Sequence, residues 1–141
     1  MLDVKPSFTE EAIYSRLEAY GETGRQNYII RNLTVDVVLP LTSLPFLWLL
    51  MRQTVAQFRL GNAFRRFLLS MPIAYVIFDL AENAAVVAML ANYPERLTSL
   101  ASVLPYLTVI KRTASMFALF APVVIFALTL LRRSREIPGR A

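Results

Sequence analysis

The chain has 141 residues, of which 56% are hydrophobic, and a formal net charge of +5. That apolar share is high for a soluble domain and points to one small polytopic membrane domain over residues 1–141. Cysteine and histidine are absent, which excludes disulfides, thiolate chemistry and the usual haem and zinc ligands, and removes the commonest general base. No metal and no cofactor is expected.

Residues 7–20 read as a short amphipathic helix. Ser7 or Thr9 can cap it, and Glu10 and Glu11 fall where the helix dipole favours acids. Phe8, Ile13, Leu17 and Tyr20 form one apolar stripe. Such a helix lies on the membrane surface, packs on the bundle, or recruits a partner. Gly21 is a plausible stop, and the two glycines of residues 21–25 predict a hinge. Residues 1–31 lack the apolar core of a signal peptide, so no cleaved targeting segment is expected.

From Gln26 to about Arg52 the pattern predicts a long helix, with span 1 at residues 33–51. Its length is close to the ~20 residues that cross a bilayer core. Arg25, Tyr28, Asn32, Asp36, Pro40 and Ser43 follow helical spacing and make one face polar. Pro40 and Pro45 predict kinks and freed backbone carbonyls, which polar neighbours or water must satisfy.

Residues 52–66 are expected to form a loop or short amphipathic helix that turns at Gly61-Asn62. Arg52, Arg59, Arg65 and Arg66 fall here without any acid, a cytoplasmic signal. Because the basic residues flank apolar segments, membrane topology explains them and no nucleic-acid partner is expected.

Span 2 is predicted at residues 67–91. Tyr75, Asp79, Glu82, Asn83 and Val86 share one of its faces. Asn92-Tyr93-Pro94 ends it, with Pro94 placed to open the next helix. Residues 94–133 allow two readings. One is a long helix, bent at Pro105 and Pro122, that contains span 3. The alternative is a pair of spans at 98–110 and 113–131, although 13 residues are short for a span and 110–113 hold no turn residue. The tail, with Arg132, Arg133, Arg135 and Arg140, is as basic as the 52–66 loop. An odd number of spans puts both on the cytoplasmic side, which favours three.

The expected fold is therefore all-α: a transmembrane bundle of three long helices, with four spans as the alternative, plus a short N-terminal amphipathic helix. A turn near 57–58 sets Asp36 level with Asp79, and a turn at 92–93 sets Asp79 level with Tyr106. Lys111 lies somewhat over a turn beyond and can lean back toward the acids. The predicted polar cluster comprises Arg25, Tyr28, Asn32, Asp36, Asp79, Glu82, Asn83, Tyr106 and Lys111, with Thr108 and Arg112 beside it. Asp79 and Glu82 are the candidate acids. Two roles compete. In one, the cations neutralise the acids and the network fixes helix packing. In the other, a carboxylate stays unpaired and serves a ligand or a proton transfer.

Tyr20-Gly21-x-x-Gly24-Arg25-x-x-Tyr28, Asp36-x-x-x-Pro40, Asp79-x-x-Glu82-Asn83, Tyr93-Pro94 and Thr108-x-x-Lys111 together resemble a pattern found in small, uncharacterised multi-span membrane proteins. The resemblance covers roughly residues 20–112. It implies a shared polar feature and carries no activity. A looser, fold-level analogy is to membrane isomerases of the sterol-isomerase type, but this chain lacks their histidine.

Three functions follow as expectations. The first is a membrane protein whose interior polar site binds a lipid-like or amphipathic small molecule. The second is an acid–base enzyme, isomerase- or cyclase-like, acting on a hydrophobic substrate. The third is a purely structural subunit. The expected partners are the lipid bilayer, a lipid-like ligand, and further copies or a larger membrane complex. Transport by one copy is disfavoured, because three or four helices barely enclose a path and no inverted repeat is visible. The compartment expected is a bacterial inner membrane.

Overall fold

The computed structural model describes residues 9–58 and 60–135, with side chains to residue 128. Ser7, Phe8, Arg59 and Arg140 lie outside the described residues, as do the side chains of Arg132, Arg133 and Arg135. The described chain is all helical: α1 (Glu10–Ala19), α2 (Gly21–Ala56), α3 (Asn62–Ala91) and α4 (Thr98–Arg135). The last three are long and apolar enough to cross a membrane. This is a three-span integral membrane fold with one short helix before it.

α1 forms where Thr9 accepts the Ala12 N–H at 3.4 Å and two acids fill the first turn. Its apolar face carries Ile13, Tyr14 and Leu17. They sink into a core with Tyr28 of α2, Val86, Met89 and Leu90 of α3, and Ala101 and Leu104 of α4. α1 therefore plugs one end of the bundle. The Tyr14 hydroxyl accepts the Leu97 N–H at 2.5 Å, and Arg96 reaches Glu10 at 3.9 Å. These bonds pin α1 to the α3–α4 connection.

The expected hinge at 21–25 is corrected. α2 already begins at Gly21, and only Tyr20 separates it from α1. The change of direction is made at Gly21, whose φ of +63° is open to glycine at little cost. Gly24 lies inside the helix, where an added Cβ would stand 3.2 Å from Tyr20 Cβ.

The basic segment 52–66 is also mostly helix. α2 runs to Ala56 and α3 starts at Asn62, leaving 57–61 as the connection. Nothing between 62 and 66 breaks a helix, so the turn collapses onto Gly61. Phe67 stacks on Phe64 at 6.2 Å and meets Phe117 edge-on at 5.7 Å. Met51, Val55 and Leu68 form a second buried cluster at this end.

Pro94 does not open α4. The cis Tyr93–Pro94 bond lies in a turn closed by the Glu95 N–H on the Asn92 carbonyl at 2.8 Å. The helix starts at Thr98, with Leu97 accepting the Ala101 N–H at 3.0 Å. It then continues unbroken through positions 110–112, so 98–110 and 113–131 belong to one helix.

α3 is the central helix: its apolar window is 44% buried, against 11% for α2 and 17% for α4. The outward faces of α2 and α4 carry the exposed large apolar side chains. On α2 these run from Ile30 to Leu49, about 28 Å of helix, close to the ~30 Å of a hydrocarbon core. The helices themselves are longer, so the α1-capped end extends beyond that apolar belt.

Candidate functional site

Between the two apolar clusters the bundle turns polar. Asp79, Glu82 and Asn83 are spaced i, i+3, i+4 and so share the inner face of α3. Thr108 and Lys111, at i and i+3, share the facing side of α4. The helices are antiparallel, so each step along one is matched by a step back along the other. Thr108 meets Glu82, and Lys111 meets Asp79.

Lys111 Nζ stands 3.0 Å from Asp79 Oδ1 and also pairs with Glu82 Oε2. The Thr108 hydroxyl donates to Glu82 Oε1, with the Leu104 carbonyl a second acceptor at 3.1 Å. Asn83 donates its side-chain amide to the Asp36 carbonyl at 2.8 Å and to Asp79 Oδ2 at 3.3 Å. Each carboxylate thus has one oxygen on the ammonium and one on a neutral donor. The ammonium occupies the place between two carboxylates that a bound cation would take. Among the described residues no group of three or more acids could hold a metal ion.

The two acids differ in access. Glu82 is wholly enclosed. Asp79 and Lys111 are only partly so, with side-chain exposures of 11% and 16%. They line a groove of about 560 Å³ cut between α2 and α4 over α3. Leu39, Phe46, Leu47 and Leu119 form its apolar walls, and Ser43, Tyr75, Arg112 and Ser115 add polar groups. Leu39, Phe46 and Leu119 are themselves exposed, so the groove opens on the lipid-facing surface. From Lys111 to Leu119 it follows about 12 Å of α4, with the ion pair at one end and hydrocarbon at the other.

The remaining predicted residues separate from this centre. Arg25 stacks on Tyr93, 4.1 Å from the ring centre, and reaches the Leu17 carbonyl at 3.4 Å. Tyr28 is buried edge-on against Tyr20 at 5.5 Å. Both belong to the α1-capped end, about 16 Å along α2 from Asp36 in the case of Arg25. Asn32 is buried and donates to the Tyr28 carbonyl at 3.0 Å. Asp36 contributes its carbonyl to the network, while its carboxylate lies 3.9 Å from Arg31. It stands level with Asn83, one turn from the expected Asp79. Tyr106 is corrected outright: it is 63% exposed and points away from the cluster. Two residues before Thr108, it sits some 200° around α4, and the 92–97 connection is longer than a two-residue turn, which shifts the register.

Sequence reasoning missed Ser115 and Arg31. Ser115 follows Lys111 by four residues and was findable by helical spacing. Arg31, five residues before Asp36, carried no such signal.

The fold and centre define a small three-span membrane protein with an ion-paired polar core beside a lipid-facing groove. Compared with known proteins, the chain matches no family model, no curated protein and no solved structure.

Proposed function

We propose that the protein binds one lipid-like or amphipathic molecule in the groove between α2 and α4. The tail lies along Leu39, Phe46, Leu47 and Leu119, and the polar end meets Asp79, Lys111 and Tyr75. The observation that carries this is the continuity of the apolar groove with a partly accessible ion pair. Its volume, about 560 Å³, falls within the ~300–1,000 Å³ of pockets that hold compact ligands. Membership in the small multi-span family stays a proposal carried by the shared motifs.

The test is extraction of bound molecules from protein purified in mild detergent, read by mass spectrometry. Wild type should retain one species in near-stoichiometric amount, and Ser43→Phe, which fills the groove, should lose it. Equal retention by both would overturn the proposal.

A second role is favoured by a separate observation. Every oxygen of Asp79 and Glu82 already has a protein partner. The cluster thereby also fixes the register of α2, α3 and α4. Any acid–base turnover of the groove's occupant would run through Asp79, since Glu82 is sealed. The proposed orientation puts the connection 57–61 on the cytoplasmic face, because Arg52, Arg65 and Arg66 flank it without an acid; the lack of cysteine and the arginine bias support a bacterial inner membrane.

A further inference from the structure

The polar end of the groove is balanced in charge and mixed in hydrogen bonding, and the two facts together select a ligand. Asp79 and Glu82 bring two formal negative charges, and Lys111 and Arg112 bring two positive ones. Lys111 is already held by both acids. A ligand carrying a net charge would unbalance this neutral set among hydrocarbon walls, which is costly. An uncharged polar end avoids that penalty.

The serines then decide which uncharged group fits. The Ser43 hydroxyl donates to the Pro40 carbonyl at 3.0 Å. The Ser115 hydroxyl donates to the Arg112 carbonyl at 2.8 Å. A hydroxyl has one proton, so each serine is left with lone pairs to offer the groove. Asp79 is likewise an acceptor. Tyr75 and Arg112 set donors beside these acceptors, so the site suits a group that both donates and accepts. A ketone or ester carbonyl has no proton to give; a hydroxyl gives one and still accepts from Lys111 or Tyr75.

We infer that the groove takes an uncharged, hydroxyl-ended, single-tailed amphiphile of the long-chain alcohol or monoacylglycerol kind. This rests on the groove-binding function proposed above and names its ligand class. The hydroxyl sits between Asp79, which is level with Lys111, and Ser115, four residues further along α4, and the tail runs toward Leu47 and Leu119. The volume suits one chain beside one small head.

The experiment uses the full chain in phosphatidylcholine nanodiscs, since sugar-headed detergents would themselves present hydroxyls. Four probes of equal chain length are added at low mole fraction: 1-monopalmitoylglycerol, palmitic acid, hexadecyl phosphate and hexadecyltrimethylammonium. The readout is the shift in thermal midpoint. The monoglyceride should raise it by a few degrees, saturably, and the three charged probes should not. Ser43→Phe should abolish the shift. Ser115→Ala, which keeps the fold and removes one acceptor, should weaken the monoglyceride several-fold. A larger shift from a charged probe would overturn the ligand class and leave groove binding intact. No shift from any probe would overturn the ligand class as well, and retention of a co-purified molecule then decides whether groove binding survives.

Discussion

Asn83 on α3 donates its side-chain amide to the carbonyl of Asp36 on α2 across 2.8 Å. The reason lies four residues on. Pro40 has no N–H, so the helical bond that would close on Asp36 is missing. Its carbonyl is left in a membrane interior without water, where an unsatisfied group is expensive. One helix thus carries the defect and its neighbour carries the remedy.

Replacing Asn83 by Leu should therefore destabilise the bundle by about 1–2 kcal/mol, the cost of stranding a buried acceptor. In a Pro40→Ala background the helix can satisfy Asp36 itself, so Asn83→Leu should cost distinctly less. Unfolding in a mixed-micelle titration of the four proteins gives the coupling. Equal costs in both backgrounds would show that the carbonyl is not what Asn83 serves.

Lys111→Met leaves two buried carboxylates facing each other. A loss of about 3–5 kcal/mol is expected, as for a broken buried ion pair. Adding Asp79→Asn and Glu82→Gln to the same chain should recover much of it. The triple variant's thermal midpoint is the measurement, and a triple no better than the single would remove the electrostatic explanation.

α1 should behave as part of the fold rather than as an appendage. Leu17 is completely buried, and Leu17→Ala should cost about 2–4 kcal/mol. Gly21→Ala forces a side chain into positive φ and should cost about 1–2 kcal/mol. A surface-lying α1 would instead leave both variants near wild-type stability.

Because the chain has no cysteine, single cysteines report topology cleanly. Gln57→Cys should react with a membrane-impermeant maleimide only in inverted vesicles. Asn92→Cys should react only in right-side-out cells. The opposite pattern would reverse the assigned orientation.

Much of this was legible because membrane helices write their length and inner face into the sequence. The runs around Val37 and Val123 announced spans, and 79, 82 and 83 announced one polar face. The ion pair from Lys111 could be anticipated because a lysine leans toward its helix N-terminus. Register was less legible. It depended on connections whose lengths no apolar period reveals, and a few residues of error carried Tyr106 from the interior to the surface. The groove was invisible for another reason. It is a gap between α2 and α4, and a gap depends on how helices splay, not on any one stretch of residues.

Glu82 is enclosed without residue, yet α3 is synthesised before the lysine that neutralises it. Threading that helix alone into lipid would carry Asp79 and Glu82 uncompensated, at a few kcal/mol for each charge. α4 supplies the ammonium only after the 92–97 connection has left the ribosome. Partitioning the two segments together as a hairpin avoids that cost, so a single ion pair ties the insertion of α3 to the arrival of α4.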